Sequence, residues 1–312
     1  MKYSIITPVY NREDCIARCI ESVIRQRDKG VDIEHIIVDD GSRDGSAYLA
    51  GKYAEQNVHI RPIRFRENRG TNAARNAAIQ AATGDFCIIL DSDDYFVDNA
   101  IAIIDETIRQ RPGFRHYMFA ADDTQVCYER MPLLRGKQQA VLTFEDFLTG
   151  SVDCDYIHVM DRKVLLQYPF EEALRTHEGV FFLRFYKEVK RMLFTNQVVT
   201  IRERSRADSV TREGFKTTKE RVRRSARCNE LRLAWFEQDF LTHARGKLQS
   251  IYNDYLDDLL RLSAYEQMRT LAKHAVEHGF TIKPHLMALC KIHGGGRTFC
   301  YENGISSLNM TF

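Results

Sequence analysis

The chain has 312 residues, 44% of them hydrophobic, and a formal net charge of only +2. That length suits one large domain or two modest ones with an ample core, and so small a charge gives no global attraction to nucleic acid. No run approaches the ~18 apolar residues of a membrane-spanning helix, and the short apolar start, interrupted by Pro8, does not read as a signal peptide.

The first element is a strand, Tyr3-Ser4-Ile5-Ile6-Thr7-Pro8-Val9-Tyr10-Asn11, predicted to stop at Pro8. Cys15, Ile16, Cys19, Ile20, Val23 and Ile24 then recur at helical spacing, with Asn11 as the expected N-cap. A second strand, Ile36-Ile37-Val38, runs into Asp39-Asp40-Gly41-Ser42. Residues 70–79 form a helix whose small side chains permit close approach to a sheet. The apolar run Phe86-Cys87-Ile88-Ile89-Leu90 is a buried strand that ends at Asp91-Ser92-Asp93-Asp94. Strands alternating with helices predict a parallel sheet covered on both faces, its loops gathered at one edge. Past residue 215 the chain turns to charged helix formers with apolar residues three and four apart, as in Tyr252, Leu256, Leu259 and Leu260, which predicts a helical appendage. Eight cysteines occur without a C-x-x-C pair, and Cys15, Cys19 and Cys87 fall at core positions, so free buried thiols in a reducing cytosol are expected.

Three carboxylates within four residues at a strand end are costly unless a cation or hydrogen-bond donors balance them. Such a cluster suits a hard divalent ion that shares its remaining positions with phosphate oxygens. A strand-to-helix turn also favours Asp and Ser, so the cluster alone admits a structural reading.

Five motifs extend the pattern: Thr7-Pro8-Val9-Tyr10-Asn11, Val38-Asp39-Asp40-Gly41-Ser42, Asn68-Arg69-Gly70 with Ala74-Arg75-Asn76, Gly84-Asp85, and Asp91-Ser92-Asp93-Asp94. In order and spacing they resemble the amino-terminal half of a family 2 glycosyltransferase, firmly over about the first hundred residues and more loosely to about residue 212. The resemblance implies an α/β fold of the GT-A type, a mostly parallel nucleotide-binding sheet flanked by helices, with the helical C-terminal extension read above. The expected division is 1–212 for the glycosyltransferase domain (1–110 nucleotide-binding, 111–212 acceptor) and 213–312 for the helical region. It also implies inverting transfer of a sugar from a UDP-sugar to a hydroxyl of a glycan or lipid-linked oligosaccharide, assisted by Mn2+ or Mg2+, in surface polysaccharide synthesis. The expected location is cytoplasmic, including the inner face of the membrane. There the basic group Lys216, Lys219, Arg221, Arg223, Arg224 and Arg227 reads either as a peripheral contact with anionic head groups or as a solvated helix face.

By the same resemblance Thr7, Pro8, Tyr10, Asp39 and Asp40 grip the nucleobase and ribose, and Arg75, Asp91 and Ser92 complete the nucleotide site. Arg75 reads alternatively as a structural ion pair with Asp40. Asp93, with Asp91, is the expected metal ligand, and Asp94 is expected at the donor sugar or phosphate or as a cap of the following turn. The arginine-rich segment 202–212 resembles one in the family and reads either as a flap whose Arg202 or Arg204 closes over the donor diphosphate or as a solvated loop. The family's general base is an aspartate that aligns here with Gly179, which leaves Glu178, His177 or another acid for that task. The departure also keeps open a second reading, a non-catalytic nucleotide-sugar-binding partner or scaffold of a glycan-assembly complex. A nucleotidyltransferase or a Rossmann dehydrogenase is disfavoured, because neither glycine-rich loop follows the first strand.

Overall fold

The computed structural model describes residues 1–27, 30–175, 177–204 and 218–292. Residues 205–217, which hold the later part of the arginine-rich segment and Lys216, and the glycines at 294–296 lie outside them. The chain divides into two compact units, Met1–Arg212 and Glu213–Phe312.

The first unit is a nine-stranded sheet with helices around it. β1 (Lys2–Val9) and β2 (Asp32–Asp39) are buried along seven of their eight residues, as expected of strands covered on both faces. β3 (Ile60–Arg64) is the edge strand beyond β2, mostly exposed, and carries Pro62 where a missing N–H costs least. β4 (Phe86–Ile89) pairs with β1 on its other side. These four strands are parallel. The remaining strands are β5 (Tyr95–Phe96), β6 (His116–Ala121), β7 (Gln139–Thr143), β8 (Ile157–Asp161) and β9 (Arg191–Ile201), giving the order β3-β2-β1-β4-β8-β6-β9-β5 with β7 also on β9. β8 is antiparallel to both β4 and β6, whereas β6 and β9 are parallel. The sheet is thus mixed, parallel across β1 to β4.

Pro8 does not end β1: it sits in register with Val38, and the strand continues to Val9. The pairing with β4 stops at Ile6, so past that point β1 has no neighbour on the side that would require the missing N–H. Asn11 is not a helix cap either. The first helix, α1 (Ile16–Gln26), starts five residues further on, and Asn11 has φ of 51°, with its side-chain oxygen accepting from the Arg43 N–H at 2.9 Å. It ties two loops together instead. α2 (Ser46–Gln56) and α3 (Thr71–Ala81) complete the first half, with Ala73, Ala74 and Ala78 of α3 buried close to the sheet. The chain runs from β1 out to β3 on one side and returns to β4 on the other. The crevice outside the carboxyl ends of β1 and β4 is therefore the switch point where open α/β sheets place ligands.

Gly70 shows how tightly this edge is built. It stands immediately before α3 with φ of 98° and ψ of 157°, a region open essentially to glycine alone, and an added Cβ would lie 2.9 Å from Cβ of Arg175. Gly70→Ala is expected to cost about 1–3 kcal/mol, read as a melting temperature lowered by several degrees.

Cys15, Cys19, Cys87, Cys228 and Cys290 are buried and free. Cys127 and Cys154 are joined as a disulfide, contrary to the expectation of free thiols throughout. Their Cα atoms, 6.4 Å apart, lie in the bridging range although 27 residues separate them, a proximity created by folding and invisible in the spacing.

The second unit is helical: Lys219–His243, Arg245–Arg261, Tyr265–Glu277 and Pro284–Ile292. Thr218 caps the first, accepting from the Arg221 N–H at 3.2 Å. Tyr252, Leu256 and Leu259 are buried, as their spacing predicts. Arg223 and Arg224 each lie 3.6 Å from Glu220, and Arg227 is 2.7 Å from Glu230, pairs formed within the helix itself. Among the described residues no helix is long and apolar enough to cross a membrane.

Candidate active site

Four parallel-running strand ends converge on one edge of the sheet: β1 leads to Tyr10 and Arg12, β2 to Asp39 and Asp40, β4 to Asp91–Asp94, and β9 to Arg202–Arg204. The turn after β4 is closed by the Asp94 N–H donating to the Asp91 carbonyl at 3.0 Å. Ser92 is buried within it, whereas the Asp91 side chain is 52% exposed.

Arg75 organises this edge. Its guanidinium, only 8% exposed, donates through Nη2 to Asp91 Oδ1 at 3.3 Å and through Nη1 to Glu178 Oε2, and its flat face lies 5.4 Å from the Phe170 ring. The Asp40 pairing weighed for Arg75 does not form. Asp40 accepts instead from the backbone N–H groups of Arg69 and Gly70 at 2.6 and 2.8 Å, anchoring the entry to α3, and burial raises its pKa. Asp39 is different. Its Oδ2 takes the Ser42 N–H at 3.2 Å and lies 3.5 Å from Arg64, but Oδ1 is buried with no hydrogen-bond partner. An orphaned buried acceptor is costly in isolation and suits a ligand that brings an N–H. Tyr10 is exposed just past the end of β1, and Pro8 is buried. Thr7 is fully buried, its hydroxyl 2.9 Å from Nε2 of His35, and burial holds that imidazole neutral with a pKa lowered to about 3.

The acid cluster is crowded. Asp94 is pushed up to about 7, first by burial and then by Asp91, with Asp93 adding to the effect, although the Glu203 N–H donates to it at 3.1 Å. A set of carboxylate oxygens under mutual repulsion fits a hard divalent cation, whose charge would relieve that repulsion. Asp93 lies 3.9 Å from Arg12 Nε, and its carbonyl accepts from Arg18 at 3.1 Å.

Arg202 and Arg204 lie at the same edge, but each is engaged by acids. Arg202 donates to Asp155 at 3.0 Å, and Arg204 donates to Asp123 at 2.5 Å. Glu178 directly precedes the helix Gly179–Val189, and its carboxylate is 39% exposed. Gly179 begins the helix and offers no side chain. His177 is half-buried, with Nδ1 3.4 Å from the Leu174 carbonyl. A third base candidate that the sequence did not suggest is His158 on β8. Burial, then the charges of Arg202 and Arg75, lower its pKa to about 3, which leaves it too weak a base for proton transfer near neutrality.

Other residues here also escaped the sequence reading: Arg12, Arg18, Asp123, Asp155 and Glu203. One signal was present. Tyr117-Met118-Phe119-Ala120-Ala121 runs into Asp122-Asp123, the same apolar-strand-then-acid pattern as Val38-Asp39 and Leu90-Asp91.

Residues 4–165, more than half of the chain, match the family described as Glycosyl transferase family 2. A poly(ribitol-phosphate) beta-glucosyltransferase of Bacillus spizizenii is 39% identical over 102 residues, 32% of this chain and 16% of that protein. Glycosyltransferase GlyG of Streptococcus pneumoniae is 21% identical over 225 residues, 68% of this chain and 73% of that protein. The matches to the first curated relatives span only 16% to 26% of those proteins' length. Among solved structures, S. aureus TarS 1-349 in complex with UDP-GlcNAc is similar with a TM-score of 0.61 at 14% identity, covering 93% of this chain and 88% of that one. Mannosyltransferase PcManGT from Pyrobaculum calidifontis, in complex with GDP-Man and Mn2+, gives 0.56 at 16% identity, with 93% and 83% covered. At those identities the likeness is one of fold, and it is the GT-A fold that the strand-end motifs imply. With the family match spanning the whole first half of the sheet, the chain belongs to glycosyl transferase family 2.

Proposed function

We propose that the chain transfers a sugar from a UDP-sugar to a hydroxyl of a glycan or lipid-linked acceptor, with inversion, in the assembly of a surface polysaccharide. The observation that carries this reading is the Arg75 bridge, which brings Asp91 of the acid cluster and Glu178 beside the helix start to one guanidinium. An inverting transfer needs those two functions together, a place for the departing diphosphate and a base for the incoming hydroxyl.

In this reading the orphaned Asp39 Oδ1 accepts the imide N–H of uracil, and the exposed Tyr10 ring stacks on the base. Asp93 and Asp91 would hold a divalent ion. When bound, Mn2+ or Mg2+ neutralises charge growing on the nucleoside diphosphate. Glu178 takes the proton of the acceptor hydroxyl, and Arg75 fixes that carboxylate in place. Arg202 and Arg204 reach the diphosphate by exchanging Asp155 and Asp123 for phosphate oxygens. The occurrence of UDP-GlcNAc in one structural neighbour and of GDP-Man with Mn2+ in another supports a nucleotide-sugar donor and a divalent ion.

UDP release from a panel of UDP-sugars, measured with and without Mn2+, tests this reading. The expected result is turnover that requires the ion and is abolished in Asp93→Ala. Binding of a nucleotide sugar without any turnover, on every acceptor tried, would favour the scaffold reading that Gly179 keeps in view.

A further inference from the structure

The helical unit assembles Glu237, His274 and His278 so that one ligating atom of each lies within 4.8 Å of the others. His274 and His278 are four residues apart, one in the helix Tyr265–Glu277 and one capping its end, which puts both imidazoles on the same face. Glu237 comes from the facing helix, Lys219–His243. We propose that these three side chains form a site for a borderline transition-metal ion of the zinc type, which clips the two helices together.

The surroundings orient each group as ligands are oriented in such sites. The Tyr252 hydroxyl donates to Glu237 Oε1, the same oxygen that lies 2.8 Å from His274 Nε2. His278 Nδ1 lies 2.9 Å from the His274 carbonyl. A carbonyl only accepts, so Nδ1 carries the proton and Nε2 keeps its lone pair in the neutral ring. Arg245 in turn donates to the His278 carbonyl at 2.6 Å, pinning the helix end. A plain Glu–His hydrogen bond would account for Glu237 and His274. It leaves unexplained why a second imidazole stands with its ring centre 4.3 Å from the first, tilted by 50°, at the same spot.

The donor set selects the ion. Two imidazoles and one carboxylate suit zinc and its first-row neighbours, whereas magnesium and calcium prefer oxygen alone. Metal–ligand bonds of about 2.0–2.2 Å place donors roughly 3–3.5 Å apart, within reach of small side-chain rotations from the present spacing. Three protein ligands leave a fourth position for water, the arrangement of an open site. The site shares no residue with the acid cluster, so the two are distinguishable by substitution.

The test uses the untagged full chain, stripped with a chelator and titrated with Zn2+ against a chromophoric competitor, with Co2+ absorption as a second readout. One equivalent is expected to bind and to raise the melting temperature by at least about 3 °C. Asp93→Asn is expected to retain that equivalent. His278→Gln and Glu237→Gln should each weaken it by roughly tenfold or more, equivalent to about 1.4 kcal/mol. His278 sits at the helix end, and an unchanged melt of His278→Gln without metal will confirm that it folds. Zinc bound as tightly by both variants as by the parent, or no zinc bound by the parent, overturns the proposal.

Discussion

Glu178→Gln is expected to lower kcat by about 10²–10⁴-fold while leaving the KM for the donor within a few-fold of the parent value. The substitution keeps the length of the side chain and an oxygen that can accept from Arg75, so the start of the helix Gly179–Val189 keeps its shape. It removes the ability to accept a proton together with the negative charge that faces the guanidinium. In the proposed mechanism the extra methylene of glutamate makes up for a position one residue before Gly179, with which the family's aspartate aligns. His177→Gln provides the contrast. Its ring lies next to the Leu174 carbonyl and is not held by Arg75 in the described contacts, so a modest effect is expected. Single-turnover rates with a saturating UDP-sugar separate chemistry from binding. A Glu178→Gln enzyme that turns over at the parent rate would remove Glu178 from the mechanism, and a large loss in His177→Gln would transfer the role to the imidazole.

The parts of this fold that were legible in the sequence are those written in unbroken apolar runs. Ile5-Ile6, Ile36-Ile37-Val38 and Cys87-Ile88-Ile89 are strands covered on both faces, and each ends in a polar turn that marks the ligand edge. The second half was not legible, because β6 to β9 pair in mixed directions and interleave with short helices, so no βα rhythm announces them. The site divides in the same way. Strand-end acids declare themselves locally. Arg12 beside Asp93, or Asp123 and Asp155 beside Arg202 and Arg204, are long-range encounters whose partners come from different strands. Asn11 shows that a polar residue just past a strand end can serve the structure otherwise than as a helix cap, since it joins the loops after β1 and β2.

Arg75→Met is expected to lower kcat/KM by at least about 10²-fold and to destabilise the protein by about 1–2 kcal/mol. The stability figure follows from the geometry of the bridge. Removing one partner of a fully buried ion pair costs about 3–5 kcal/mol, but Asp91 and Glu178 both reach water, so much of that penalty is screened. The catalytic figure has a separate origin. Without the guanidinium, two carboxylates from different elements face one another with no charge between them, and each will turn towards solvent. Arg75→Lys tests whether charge alone suffices. An ammonium is a point charge without the planar fork that serves two acceptors at once, so only partial rescue is expected. The decisive measurement is a double-variant cycle of Arg75→Met with Glu178→Gln. If Arg75 acts by holding the base, the second substitution costs little once the first is made, and the losses fall short of additive. Strictly additive losses would mean that Arg75 works on the donor by itself, through Asp91 and the diphosphate, and that Glu178 needs no guanidinium to hold it in place.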